Sequence, residues 1–151
     1  MADHAAVARE LIDSVQYMTL ATADEAGRPW ASPVWFAHEG YRRFLWVSKP
    51  DARHSQNLAV RPDAGIVIFD STVPMGTGQA VYVETTVEQV QGEDEERGIE
   101  IFSARSQASG GPAWSMDDIR PPALLRLYRA TASAHYALTE GDQRVAVDLP
   151  S

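Results

Sequence analysis

The chain has 151 residues, a length that predicts one domain spanning residues 1–151 with a sizeable apolar core. It contains no cysteine, which excludes disulfides, thiolate nucleophiles and cysteine metal sites and fits a cytoplasmic location. The 13 basic and 21 acidic residues give a formal net charge of −8, which disfavours nonspecific binding to nucleic acid or anionic membrane. An anionic ligand would therefore need a local basic cluster.

The first part of the chain predicts one helix followed by extended segments. Val7, Leu11, Ile12 and Val15 recur at the helical spacing, so an opening helix is expected. The runs YMTLAT and WASPVWFA flank a turn around Gly27, and RFLWVS follows a second turn, HEGYR. This pattern predicts three successive antiparallel strands.

The middle of the chain predicts a short helix and two more strands. The helix HSQNLAV lies between Pro50, which suits a helix start, and Pro62, which ends it after about two turns. The run GIVIFD is typical of a fourth strand, and QAVYVETTVEQV is the longest alternating run in the chain. The residues expected on one face of that long strand are Val81, Val83, Thr85 and Val87.

The last third predicts a second main helix, a long loop and a final pair of strands. EDEERGIEIFSAR has its acids in the first turn and directs Ile99 and Phe102 toward a core. The segment 106–122 has no periodicity and is rich in glycine and proline, which is typical of a functional loop. ALLRLYRATASAHYAL and RVAVDL then predict two strands joined around TEGDQ.

Six or seven mostly antiparallel strands with three helices predict a mainly β, α+β domain, in which closing the sheet removes its exposed edges. The order of the motifs adds a more specific interpretation. LATADEAGRPWASPVWFAHEG, followed by FLWVSKPDARHSQNLAVRPDAGIVIFD, resembles the pyridoxamine 5'-phosphate oxidase-like family of FMN-binding split barrels. The resemblance implies an antiparallel split β-barrel with flanking helices, and a homodimer with its sites at the subunit interface.

The resemblance also implies a set of cofactor contacts. Two neighbouring strands would line a flavin ring, a basic helix start would hold its phosphate, and a glutamine that opens the long strand would contact the ring. These residues are Ser32, Pro33, Val34, Trp35, Trp46, Val47, Ser48, Arg53, His54, Asn57 and Gln79. The resemblance also makes Trp114, in the long loop, and Arg126 or Arg129 candidates for contact with the cofactor of a neighbouring subunit.

The basic helix start has its own physical rationale. A phosphate needs positive charge and backbone N–H donors, and Arg53 and His54 at the start of a helix offer both within one turn. The family commonly has lysine where this chain has His54. The alternative is that these two side chains only solvate the end of a helix.

The function expected from the resemblance is a flavin-dependent oxidoreductase in which FMN carries hydride to or from a small organic substrate and no side chain acts as acid or base. One alternative is a reductase that uses the deazaflavin F420, whose longer anionic tail would contact Arg42, Arg43, Lys49 and Arg53. Another is a non-catalytic module that binds flavin or haem. The four scattered histidines have no metal-ligand spacing, so no metal site is expected.

Overall fold

The structure, a computed structural model, describes residues 3–150, and a curled antiparallel sheet organises it. Its helices are α1 (His4–Ser14), α2 (Arg53–Val60) and α3 (Glu93–Ala108), with a short 3₁₀ turn at Met116–Asp118. Its strands are β1 (Tyr17–Ala23), β2 (Pro29–Trp35), β3 (Ala37–Glu39), β4 (Arg43–Ser48), β5 (Asp63–Phe69), β6 (Ala80–Gln89), β7 (Arg126–Thr139) and β8 (Gln143–Val147).

The sheet curls because its two edge strands are neighbours in sequence. Seven strands follow the order β2-β1-β5-β6-β7-β4-β3, and β8 pairs with β7. The edges β2 and β3 are separated in the chain by Phe36 alone, so opposite ends of the sheet must come together. All pairings are antiparallel. The predicted split-barrel fold class is confirmed.

The three predicted helices and the long strand are also confirmed. α2 ends two residues before Pro62, and α3 buries Ile99 and Phe102. Along β6, the predicted face of Val81, Val83, Thr85 and Val87 is buried. The spacing of apolar residues in the sequence therefore predicted correctly whether each of these elements is a helix or a strand, and which of its faces is buried.

The prediction of three successive antiparallel strands is wrong in its last step. The run WASPVWFA is not one strand, because β2 ends at Trp35 and β3 begins at Ala37. β2 pairs with β1, whereas β4 pairs with β3 and β7. The apolar run gives no sign that the chain passes from one edge of the sheet to the other. Phe36 is fully buried, and an apolar residue is also what a buried strand position requires.

β4 has apolar residues on both faces because it separates two cores. Phe44 and Trp46 point into the barrel, whereas Leu45 and Val47 pack on the side of α3. The apolar residues on the second face of β4 are therefore buried by α3 of the same chain. A second subunit is not needed to explain why both faces of this strand are apolar. Among residues 3–150, no helix combines the length and apolar character needed to cross a membrane.

α3 approaches the sheet closely at Gly98. A Cβ at this position would lie 2.7 Å from Leu127 Cδ2 and 3.7 Å from Leu45 Cδ2. Because α3 also forms one wall of the cleft described below, this close approach helps to set the position of that wall.

We expect Gly98→Val to destabilise the protein by about 1–3 kcal/mol, because the added methyl groups overpack the contact with Leu127. Urea unfolding measures the change in the free energy of unfolding. The matched control is Ala104→Val on the exposed face of the same helix. Equal stability of the two variants would contradict the close packing of α3 on β4 and β7.

Candidate functional site

A cleft of about 480 Å³ lies between β2 and the end of β4, a size typical of small-molecule sites. The C-terminal half of α3 and the loop 109–114 cover it. The residues that line it are Gln16, Pro33, Val34, Trp35, Val47, Ser48, His54, Phe102, Ser106, Ser109, Gly111, Pro112 and Trp114. β2 is an edge strand, which is where a strand tolerates proline such as Pro33. One side of β2 therefore has backbone groups that pair with no other strand.

Three aromatic rings form one wall of the cleft. The Trp35 and Phe102 ring centroids are 5.2 Å apart at 83°, and those of Phe102 and Trp114 are 5.4 Å apart at 82°. Trp35 Nε1 donates a hydrogen bond to Gln16 Oε1 at 2.8 Å. Edge-to-face packing and this bond fix the orientation of the rings.

The loop 109–114 is fastened to the end of α3. Ser106 Oγ donates to the carbonyl of Pro112 at 2.7 Å, and the N–H of Trp114 donates to Ser103 Oγ at 2.8 Å. The Gly111 N–H donates to the Ser106 carbonyl at 2.8 Å. A Cβ on Gly111 would lie 2.7 Å from Ser106 Oγ, so only glycine fits this approach without movement. The loop is therefore a fixed cover of the cleft.

Ser48 and His54 form a buried polar pair in the cleft. Ser48 Oγ and His54 Nε2 are 2.8 Å apart, and both residues are buried. Burial lowers the pKa of His54 below its usual range, because desolvation penalises the charged imidazolium. At neutral pH this pair therefore supplies hydrogen bonds without a formal charge.

The start of α2 lies beside this pair. The two cations that adjoin the pair in the sequence lie at or just before this helix start. The Arg53 guanidinium carbon is 4.1 Å from the centroid of the Trp30 ring, and both side chains are exposed. Lys49 is exposed as well. Ser55 Oγ, in the first turn of α2, is buried and has no hydrogen-bond partner among the described residues. The helix start thus combines two exposed cations with free backbone donors.

α2 is held against the β1–β2 hairpin by polar contacts. Asn57 Nδ2 donates to Thr22 Oγ1 at 3.0 Å, and Arg61 Nε donates to the carbonyl of Asp24 at 2.8 Å. Asn57 is buried, so its amide fixes the helix rather than lining the cleft. These bonds fix α2, and with it Arg53, relative to β2.

The structure brings six of the eleven predicted site residues together. The residues that line the cleft are Pro33, Val34, Trp35, Val47, Ser48 and His54. Arg53 adjoins His54, and Ser32 lies opposite Leu20 on the half-buried face of β2. Trp46 lies apart, fully buried in the barrel and stacked on Tyr128 at 5.9 Å. Gln79 lies in a separate depression beside α1.

Sequence reasoning did not identify the contribution of α3 to the cleft, although it predicted that the loop after this helix is functional. Phe102 was predicted as a core residue, and it both packs in the core and faces the cleft. Ser106, Ser109, Gly111 and Pro112 belong to the loop predicted to be functional, but no motif singled them out. Trp114 lines the cleft of its own chain. No group of three or more metal-ligating side chains occurs within the described part of the chain.

The comparisons with known proteins agree with this architecture. Residues 5–137 match the family described as pyridoxamine 5'-phosphate oxidase. The chain is 30% identical over 122 residues to the pyridoxine/pyridoxamine 5'-phosphate oxidase of Burkholderia thailandensis, covering 79% of this chain and 54% of that protein. It therefore spans about half the length of the curated relatives that it matches. The chain belongs to the pyridoxamine 5'-phosphate oxidase family.

Solved structures share the fold at low sequence identity. A haem-binding protein from Mycobacterium smegmatis has a TM-score of 0.77 at 19% identity, over 97% of this chain and 58% of that one. An F420 reductase has a TM-score of 0.62 at 18% identity, over 85% of this chain and 94% of that one. At these identities the similarity supports the split-barrel fold and does not identify a ligand.

Burial of the histidines predicts a pH-dependent stability. Burial lowers the pKa values of His38, His54 and His135 in the folded state. Below the usual value of about 6.5, the unfolded chain binds protons that the folded chain does not. The histidine contribution to stability is therefore complete above that value and is lost as the pH falls through it toward the folded pKa values.

We expect the free energy of unfolding to fall between pH 7.5 and pH 5.5, and to fall less in His54→Gln. Urea unfolding at each pH measures this slope. Gln56→Ala, at an exposed position of the same helix, is the control and should keep the wild-type slope. A slope unaffected by His54→Gln would contradict the burial of a neutral His54.

Proposed function

We propose that this chain is a flavin-dependent oxidoreductase that binds FMN in the cleft of a homodimer and transfers hydride to or from a small organic substrate. The observation that carries the proposal is the slot between the unpaired side of β2 and the end of β4, with Val34 and Val47 among its walls. A flat heteroaromatic ring suits such a slot, because the apolar side chains can cover its faces while strand backbone reaches its polar edge.

The phosphate of FMN would lie at the start of α2. Arg53 and Lys49 supply positive charge there, and the first N–H groups of α2 have no partner within the helix. Neutral His54 can donate a hydrogen bond but adds little charge. Arg53 is therefore the main cation of the proposed phosphate site, and its stacking on Trp30 limits where its guanidinium can go.

When bound, a flavin supplies hydride transfer. The residues of this chain would orient the flavin ring, exclude water from the cleft and hold a substrate against the ring. Of the described residues that line the cleft, His54 alone has an acid–base side chain, and burial lowers its pKa. The absence of other acids and bases fits a reaction in which no side chain acts as acid or base.

FMN is favoured over F420 by the distribution of the arginines. Arg42 and Arg43 lie at the opposite end of β4 from Lys49, about 20 Å away at the usual rise per strand residue. Arg43 also pairs with Glu39 at 3.8 Å. The four cations proposed for the anionic tail of F420 therefore do not form one groove. A haem-binding role is less favoured, because His54 Nε2 is already engaged by Ser48.

An uncovered sheet face supports the homodimer. Ala31, Ala21 and Gly65 are cross-strand neighbours on β2, β1 and β5, and all are exposed. Tyr17 and Phe69, on the same strands, are 59% and 46% exposed. A flat row of small residues flanked by exposed aromatics suits burial against a second copy.

We expect Ala21→Arg to convert a wild-type dimer to a monomer, because two guanidinium groups would meet at the proposed two-fold interface. Light scattering after size exclusion at micromolar concentration measures the mass. Ala104→Arg, on the exposed face of α3, is the control and should remain dimeric. A monomeric wild type would rule out the homodimer.

We expect Arg53→Ala to weaken FMN binding by roughly one to two decades while leaving riboflavin binding unchanged, since a charge-assisted contact to phosphate contributes about 1.5–3 kcal/mol. Fluorescence titration of the apoprotein with each flavin measures both constants. Arg144→Ala, in β8, is the control. If the wild type does not prefer FMN to riboflavin, the proposed phosphate site is wrong. FMN binding without turnover of any nicotinamide donor would favour the carrier alternative.

A further inference from the structure

We propose that a second recess, away from the cleft, binds a small molecule that combines one carboxylate with a short aliphatic chain. The recess has a volume of about 310 Å³, at the lower end of the range of small-molecule sites. The residues that line it are Glu39, Arg43, Leu45, Asp94, Arg97, Gly98, Ile101 and Arg129. None of them lines the cleft, so binding here does not depend on the proposed flavin site.

The walls of the recess come from elements outside the proposed dimer face. β3, β4, β7 and the N-terminal half of α3 supply all of the lining residues. The proposed dimer face lies on β2, β1 and β5 instead, and β6 separates β5 from β7 in the sheet. In the proposed homodimer, the charges of the recess are therefore those of one chain.

Two of the three arginines in the recess are already paired with carboxylates. Arg97 Nε donates to Glu39 Oε2 at 2.9 Å, and Arg97 Nη2 donates to the same oxygen. Arg129 takes two carboxylates, since it donates to Glu88 Oε1 through Nε at 3.1 Å and to Asp94 Oδ2 through Nη2 at 3.2 Å. Three carboxylates therefore serve two arginines.

Arg43 is the arginine that this arrangement leaves unsatisfied. Arg43 Nη1 lies 3.8 Å from Glu39 Oε1, which is longer than a hydrogen bond, and within residues 3–150 no other carboxylate pairs with it. The Arg43 side chain is 49% exposed, so its guanidinium is accessible to a solute. Because Arg97 already holds Glu39, a carboxylate from solution is the group that can complete the pairing of Arg43.

The other walls of the recess determine the rest of the ligand. Leu45 belongs to the apolar cluster under α3, and Ile101 packs against that cluster. An aliphatic chain that contacts both residues removes apolar surface from water. The two carboxylates that line the recess, Glu39 and Asp94, disfavour a second negative charge on the ligand. A monocarboxylate therefore fits the recess better than a dicarboxylate or a phosphate dianion.

Sodium 4-methylpentanoate and 4-methylpentanamide test the proposal, because they share a carbon skeleton and differ in the carboxylate. NMR titration of the isotope-labelled full chain at pH 7.5 and constant ionic strength measures both dissociation constants. We expect saturable binding of the acid, with shifts at the residues of the recess, and at least tenfold weaker binding of the amide. No saturable binding of the acid, or equal binding of the amide, would overturn the inference and leave the ion pairs as contacts that only hold α3.

Two substitutions with opposite expected effects make the test specific. Arg43→Gln should weaken binding of 4-methylpentanoate by about tenfold or more, because it removes a charge-assisted contact. Glu39→Gln should tighten it, because it removes a carboxylate that competes for the arginines. Arg42→Gln is the matched control, since Arg42 is exposed and does not line the recess, and it should keep the wild-type affinity. An equal loss in Arg42→Gln and Arg43→Gln, or failure of Glu39→Gln to tighten binding, would overturn the inference.

Discussion

The fold depends on the buried crossing at Phe36. This residue carries the chain from the β2 edge of the sheet to the β3 edge, so the sheet has to curl and leave a slot beside β2. Phe36 is fully buried, packs 6.0 Å from Phe44 between ring centroids and has the Arg105 guanidinium on its face. Its N–H donates to the carbonyl of Gln16 at 3.4 Å. The crossing therefore links the barrel core, α1 and α3 at one point.

Polar contacts around the end of α1 hold this crossing in place. Arg105 satisfies carbonyls that a helix end leaves without partners. Asp13 accepts from Tyr41 Oη at 2.7 Å, and it lies 2.8 Å from His38 Nε2. Because His38 Nδ1 accepts the Tyr41 N–H, His38 Nε2 carries the proton and donates to Asp13. The β3–β4 turn, α1 and α3 are thereby joined without any residue of the cleft.

Local patterns in the sequence were enough to predict the helices and the long strand, whereas the β2 contribution to the cleft was predicted from the resemblance to the family. The alternation of apolar residues on β6 and their helical spacing on α1 indicate which face of each element is buried, because the buried face is the one that requires apolar residues. The same logic fails at Phe36, since a buried crossing and a buried strand both require an apolar residue. It fails again at Trp46, which faces the barrel whereas its neighbour Val47 faces the side of α3, because successive strand residues alternate between faces.

The α3 wall was beyond sequence reasoning for a different reason. Phe102 lies 67 residues after Trp35 and Trp114 lies 12 further on, so their contact depends on how α3 docks on β4. That docking depends in turn on Gly98, whose missing side chain gives no signal of its own in a helix pattern.

The same docking gives the cleft two unlike ends. The formal net charge is −8, so attraction to any anion must be local. Lys49 and Arg53 concentrate positive charge at the start of α2, whereas α3 contributes aromatic and hydroxyl groups to the opposite end and keeps Arg105 for its contacts with α1. The position at which α3 docks therefore decides which side chains the cleft presents opposite the start of α2.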